Sequence, residues 1–444
     1  MHILIKYFHL FRYLDKVRTS RNKMKNKGIP MKLTKKLLPL VVLLASANSF
    51  ATDGYFAHGY GVKSQGMGGV GIALPQDALA AASNPAGLGL IGDRVDVGVT
   101  WFRPQRQSEI TSPNPTANTY KANDRENFFI PEFGYNRQIN SDVTLGVSVY
   151  GNGGMNTDYK NGIPLLNGGT SNKTGIDLIQ LFVAPTATWK VTPANTVGLS
   201  LNLAYQRFKA NGLQSFTGYS TSSTNLSDNG YDNSYGAGVH LGWIGQLNDA
   251  VSLGATYQSK TYMSKFDKYK GLFAEQGDFD IPSSYGLGIA IKATPTLTVA
   301  ADVQRINYSK VASVGNASLT NLGNGLGADN GAGFGWKDVT AVKLGASYAY
   351  NDALTLRAGY NHSTQPIRNT ETLFNILAPG VVQDHATLGA TWVLENKSEI
   401  SLAYMHAFEN SVKGSNSVPL GFGSGNVNLK MYEDSLGIAY GWKL

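Results

Sequence analysis

Between Arg94 and Leu444 apolar residues recur at every second position, and that period constrains the fold more than any other feature of the chain. "VDVGVTW" puts Val95, Val97, Val99 and Trp101 on one face and Asp96, Gly98 and Thr100 on the other. "VTLGVSVY", "VGLSLNLAY" and "YGAGVHLGW" repeat the pattern. Period-two alternation is the signal of strands with one apolar face. Fourteen such segments are predicted, near 93–103, 126–137, 142–151, 177–190, 196–208, 234–247, 250–263, 281–292, 296–306, 338–350, 353–361, 386–394, 399–407 and 431–444. Tight connections ("INSD", "TPAN", "LND", "ATP", "ND", "ENKS") follow the even-numbered segments. Long ones rich in Gly, Asn and Ser follow the odd-numbered segments. Short turns at one end and long loops at the other are the layout of an outer-membrane β-barrel.

Aromatic placement agrees with that layout. Trp189, Trp243, Trp392 and Trp442 fall toward the short-turn ends. Trp101, Tyr205, Tyr257, Tyr360 and Tyr404 fall toward the long-loop ends. Amphipathic rings collect at the two membrane interfaces in this way. The last segment carries Leu436, Ile438, Tyr440, Trp442 and Leu444 in one apolar row. That row resembles the C-terminal signal read by the barrel-assembly machinery, with Leu where Phe is usual.

Charge excludes a nucleic-acid binder. The formal net charge is +8, but residues 1–51 hold 11 of the 38 Lys and Arg and one of the 30 acidic residues. The remainder has 27 basic against 29 acidic residues. The basic excess belongs to a leader. "MKLTKKLLPLVVLLASANSFA", residues 31–51, has a basic start, a short apolar core and small residues before a cleavage point after Ala51, the pattern of a signal peptide. Residues 1–30 read as an upstream extension outside the mature protein. There is no cysteine, which removes disulfides and thiolate chemistry.

Residues 52–91 precede the first strand and are rich in small residues. A helical patch is predicted across Ala78–Ala82, with Pro75 and Asp77 before it and a stop at Asn84-Pro85-Ala86. A forty-residue piece of this kind can fold back into the lumen as a plug. The expected domains are a 52–91 hatch and a 92–444 barrel, with Asn84 anchoring the hatch by side-chain hydrogen bonds.

Asp77-Ala78 and Asn84-Pro85-Ala86 ahead of a fourteen-strand pattern resemble the FadL-type family of outer-membrane transporters. The resemblance covers Thr52 to Leu444. It implies an all-β membrane protein, a 14-stranded antiparallel barrel with an N-terminal helical hatch in the lumen. It also implies passive uptake of long-chain fatty acids or other hydrophobic compounds, including aromatic hydrocarbons, in the bacterial outer membrane among its lipids. Ligands would be caught by extracellular loops, pass the hatch and leave sideways near a kink in the third strand. For that kink the sequence offers Gly151, Gly153 and Gly154, which interrupt the alternation; the alternative is a Gly-rich start to a loop. For the entry groove it offers Phe266, Tyr269, Leu272 and Phe273 in the fourth long loop, on one helical face, and Leu373, Phe374, Ile376 and Leu377 in the sixth. Packing of each loop on its neighbours is the alternative. Lumen-facing Arg357, Lys343 or Arg207 could hold a carboxylate, although such residues more often solvate a polar lumen.

Catalysis, metal and cofactor are not expected. The mature histidines His58, His240, His362, His385 and His406 have no ligand spacing on one element. Asp384-His385 lacks a Gly-x-Ser-x-Gly elbow. The Gly-rich stretch 321–335 has no strand-to-helix setting for a phosphate loop and reads as an extracellular loop. The rival functions are a general diffusion porin and a structural or adhesive envelope protein.

Overall fold

The computed structural model describes residues 53–111, 118–170 and 172–444. The leader segments lie outside them. Fourteen long strands form the wall. They are β1 (Arg94–Ile110), β2 (Phe128–Gln138), β3 (Val143–Tyr159), β4 (Thr174–Thr192), β5 (Asn195–Asn211), β6 (Asp232–Gln246) and β7 (Val251–Gln258). Then come β8 (Ser284–Lys292), β9 (Leu297–Ile306), β10 (Val339–Ala349), β11 (Leu354–Ser363), β12 (Asp384–Val393), β13 (Glu399–Val412) and β14 (Val427–Lys443). Each pairs antiparallel with its neighbours, and β14 pairs with β1 from Arg94↔Lys443 to Ile110↔Val427, so the sheet closes. Closure removes the exposed sheet edge, which lipid would leave unsatisfied. Short ladders at Asn118–Lys121 and Tyr262–Met263 hang on β1 and β6. No helix among the described residues is long and apolar enough to cross a membrane.

All fourteen predicted segments fall on wall strands. β1, β3, β4, β5 and β14 run 17 to 19 residues, well beyond the ten that cross a bilayer. Their upper ends stand above the membrane and carry the loops. The alternation is visible as exposure: Leu199, Leu201 and Leu203 are exposed while Ser200, Asn202 and Ala204 are buried toward the lumen. Trp189 and Trp392 are exposed near the short-turn end, and Tyr257, Tyr360 and Tyr404 near the long-loop end.

Residues 53–93 occupy the lumen. This segment has little regular structure: an α-turn at Val62–Gln65 and 3-10 turns at Ala80–Ala82 and Pro85–Leu90. Asn-Pro-Ala does not simply stop a helix, as the sequence suggests. Pro85 drives Asn84 to an extended backbone (φ −155°, ψ 113°). Asn84 then caps the second turn by accepting from the Ala86 amide, with Pro85 at its first position.

Candidate functional site: hatch, wall opening and loop pocket

An irregular segment inside a barrel must satisfy its backbone without water or its own ladder. The wall supplies the partners. Glu132 of β2 accepts from the amides of Gly61 (3.2 Å) and Val62 (3.0 Å). Asp302 of β9 accepts from Gly71 (2.7 Å) and Ile72 (3.0 Å). Asp96 of β1 accepts from Ala78 at 2.9 Å, and Thr387 of β12 from Gly68 at 2.7 Å. The wall also makes room by presenting glycine. A Cβ on Gly242 would lie 1.9 Å from Asn84 Oδ1, and one on Gly359 would lie 2.1 Å from the Gly68 nitrogen. Any side chain at either place would displace the hatch.

Asn84 is fully buried. Its amide protons are shared among the carbonyls of Ile72 (2.7 Å), Trp243 of β6 (3.0 Å) and Ala255 of β7 (3.3 Å). It therefore ties two hatch segments to the wall. Asn84→Ala should cost about 1–3 kcal/mol of local stability, the loss of a buried polar partner. Steady ion leakage in planar bilayers should rise; conductance equal to the parent would remove Asn84 as an anchor. Pro85 and Ala86 follow it into the buried turn.

Asp77 is buried beside Asp96 and accepts from the Leu79 amide at 3.0 Å. Burial, then the Asp96 charge, raises its carboxyl from 3.8 to about 6. The folded hatch therefore binds this proton more tightly than the unfolded chain does. Stability from the group is complete below about pH 3.8 and is lost as pH rises through about 6. Asp77→Asn should raise the melting temperature of the purified protein at pH 7.5 and leave it unchanged near pH 3.5. Equal melting at both values would count against a buried charge at this position.

At the hatch floor, charges converge from distant parts of the chain. Glu399 at the start of β13 meets Lys63 of the hatch, Arg94 Nη2 of β1 at 2.9 Å and Lys443 of β14 at 3.3 Å. Higher up, Lys343 of β10 meets Asp53 at 3.1 Å and donates to the His58 carbonyl at 2.7 Å. Arg357 donates to Gln76 (2.8 Å) and Thr391 (2.7 Å). Two of the three cations suggested for a ligand carboxylate, Lys343 and Arg357, are thus committed to the protein. Arg207 corrects the expectation: it alternates to the outer face and lies over the Tyr231 ring at 4.3 Å. The even positions Gln206 and Phe208 face inward instead, as the period requires.

The third strand changes course at its glycines. Its register against β4 shifts between Gly151 and Gly153, leaving Asn152 as an extra residue. Its ladder with β2 ends at Phe133↔Val149. From Tyr150 to Tyr159 the strand pairs with β4 and is buried on both faces. The wall between β2 and upper β3 thus lacks a ladder. Hatch residues cover this break from inside, and Ala122 and Asp124 bond Asp158 across its upper end (3.1 and 3.3 Å). Gly154 donates to the Tyr55 carbonyl (3.0 Å) and Ala57 donates to Asn152 (3.2 Å). Tyr308, from the loop after β9, donates its hydroxyl proton to the Asp53 carbonyl (2.6 Å) and accepts from the Tyr55 and Phe56 amides (3.1 Å each). Arg106 of β1 reaches across to the Asn156 carbonyl.

The long loops pack into an apolar cluster with the upper strand ends. Leu272, Phe273, Phe374 and Leu377 line a pocket with Phe208 of β5 and Phe216 of the loop after it. Ile176 of β4 and Phe334 of the Gly-rich loop also contribute. The cavity is only about 30 Å³, with the rings closed around it. Phe266 and Tyr269 stand behind it, packed on Phe208 at ring distances of 5.7 and 4.8 Å. Leu373 and Ile376 are fully buried and do not line it. The sixth loop folds inward: Thr157 and Tyr159 of β3 donate to the carbonyls of Leu377 (2.8 Å) and Ile376 (2.9 Å). The residues missed from sequence, Phe208 and Phe216 above all, carried no helical or loop pattern to mark them.

Asp384 and His385 point to opposite faces of β12, so they form no hydrolytic pair. Among the described residues no cluster of His, Asp or Glu could hold a metal.

The family model for the outer membrane protein transport protein (OMPP1/FadL/TodX) matches residues 40–439. The toluene transporter TodX of P. putida superposes with a TM-score of 0.68 at 20% identity, covering 87% of this chain and 99% of that one. A Pseudomonas aeruginosa FadL homologue gives 0.66 at 15% identity, covering 87% and 98%. The Ralstonia pickettii toluene transporter TbuX gives 0.62 at 19% identity, covering 87% and 99%. These likenesses concern the fold. A Chlorobium limicola protein, uncharacterized and found in the phosphoenolpyruvate carboxykinase gene 5' region, is 44% identical over 68 residues. That match covers 15% of this chain, which spans about a third (34%) of that relative's length. Closed fourteen-strand wall, luminal hatch and matched sequence agree: the chain belongs to the FadL/TodX family of outer-membrane transport proteins, channels for hydrophobic compounds.

Proposed function

We propose that this channel takes up small uncharged hydrophobic compounds, aromatic hydrocarbons foremost, and that long-chain fatty acids are weaker substrates. The loop pocket carries the reading. Its lining is aliphatic and aromatic apart from Ser313, and the Ser313 hydroxyl already donates to the Asp278 carbonyl. A carboxylate would find no cation there, while a neutral ring loses nothing on entry. Exit runs sideways through the opening between β2 and upper β3. Each CH₂ released into water would cost about 0.8 kcal/mol, whereas release into lipid avoids that cost. The filled lumen argues against a diffusion porin.

Uptake of labelled toluene and labelled oleate by cells with and without the protein tests this. Toluene uptake should rise several-fold and oleate uptake less. A larger gain for oleate would reverse the substrate order, and no gain for either compound would sink the transport reading.

A further inference from the structure

The outer face of β5 changes character at its upper end. Val197 meets Trp189 and Trp243 across its two ladders. Tyr205 meets Tyr235, with the rings 5.4 Å apart. Leu199, Leu201 and Leu203 lie between these two layers and are exposed. A strand tilted about 40° climbs roughly 20 Å from Val197 to Tyr205, close to the apolar band of about 25 Å on an outer-membrane barrel. The next two outward positions are Arg207 and Lys209. They stand about 5 and 10 Å above the tyrosines, at the level of the lipid headgroups.

Tyr231 fixes both cations. Its side chain starts beside the first residue of β6, crosses β5 and donates its hydroxyl proton to Asp177 of β4 at 2.7 Å. The Arg207 guanidinium lies 4.3 Å from the ring centroid and the Lys209 ammonium 4.8 Å. A third cation comes from the loop after β7. Lys268 is exposed, and its ammonium donates to the Tyr231 carbonyl at 2.7 Å.

No carboxylate among the described residues lies within ion-pair distance of Arg207, Lys209 or Lys268. The neighbouring acids have other partners. Asp177, opposite Lys209 in the ladder, is buried and takes Arg125 at 2.6 Å as well as the Tyr231 hydroxyl. Asp232 accepts from the amides of Asn233 (3.0 Å) and Lys268 (2.9 Å). Asp228 accepts from Asn211, Gly212, Gln214 and Ser227. Arg207 Nε is buried without a hydrogen-bond partner.

Three like charges gathered on one tyrosine repel one another, and a bound anion offsets that repulsion. Stacking engages the face of a guanidinium and leaves its N–H edge free, which suits the several oxygens of a phosphate. Height selects the carrier of that phosphate. A soluble phosphate would meet the cations alone, whereas a lipid at this level also covers the exposed leucines below. We propose that Arg207, Lys209 and Lys268 hold the phosphate of an outer-leaflet lipid whose acyl chains lie along Leu199, Leu201 and Leu203. Membrane location supplies this ligand at high local concentration. The site lies on the outer face, apart from the lumen, and does not depend on which compound is carried.

Native mass spectrometry of the purified protein tests this. The added probes are lipid A, fully dephosphorylated lipid A and the phosphorylated glucosamine disaccharide without acyl chains. Wild type should retain lipid A about fivefold or more over its dephosphorylated form. Arg207→Gln/Lys209→Gln should bring that ratio close to one. Lys190→Gln/Lys292→Gln removes the same charge at the short-turn end and should leave the ratio unchanged. An unchanged ratio in the first pair, or an equal fall in the second, overturns the proposal. Retention of the chain-free disaccharide equal to that of lipid A also overturns it, since the site would then serve a soluble phosphate. Heat-modifiable mobility confirms that each variant keeps its barrel. Lys268→Gln, on an exposed loop, should lower the ratio about twofold by itself. Should the first pair fail to fold, an unchanged ratio in Lys268→Gln overturns the proposal instead.

Discussion

Phe374→Asp should cut toluene uptake by roughly tenfold to a hundredfold, the loss expected when about 1.5–3 kcal/mol of apolar contact is removed from the path. Phe374 lines the loop pocket, its ring 5.0 Å from Phe216. A carboxylate in that place would hold water in the seam through which the proposed route runs. Phe374→Leu keeps the seam apolar and should retain most of the uptake. Labelled-toluene uptake in cells expressing each variant at equal outer-membrane levels decides it. If the aspartate variant transports like its parent, the loop pocket does not lie on the route.

The second large effect is expected at the hatch floor. In Glu399→Ala, Lys63 loses its carboxylate partner and keeps the Gln76 carbonyl at 3.3 Å, while Arg94 keeps Asp96. Leaving a buried cation uncompensated costs about 3–5 kcal/mol. Because Lys63 belongs to the hatch and Glu399 to the wall, the cost falls on the docking of one against the other. Steady single-channel conductance should appear in planar bilayers where the parent stays closed, and protease should reach the hatch in the folded barrel. A closed Glu399→Ala channel with a protected hatch would show that the wall glycines and backbone contacts suffice.

The wall was legible because every strand obeys one rule. Lipid outside and hatch or water inside impose a two-residue period that survives in Val197–Tyr205 as clearly as in Leu436–Leu444. The same rule exposes the error at Arg207, whose odd number already placed it outside. Upper β3 escaped because it is buried on both faces, where alternation carries no signal. Half of the loop residues singled out from sequence line the pocket and half support it. A run of apolar residues on a loop marks burial but not which side of the cluster faces a ligand. Phe208 and Phe216 come from a strand end and a neighbouring loop, brought to the pocket only by barrel closure. The wall partners of the hatch were equally hidden, because they lie in distant strands.

Lys63 and Glu399 are 336 residues apart in the chain, and Asp53 and Asn361 are 308 apart. That separation sets an order of events during biogenesis. The hatch precedes the whole wall in the chain; Asp96 of β1 and Glu132 of β2 follow soon after it, but Asp302 of β9 and Glu399 of β13 arrive only with the later strands. Its docking therefore cannot be complete until the thirteenth strand brings Glu399 to Lys63. Plugging is then the last act of folding rather than the first. A barrel caught before its thirteenth strand joins would be an open hole in the membrane, which gives the cell a reason to have closure and plugging happen together.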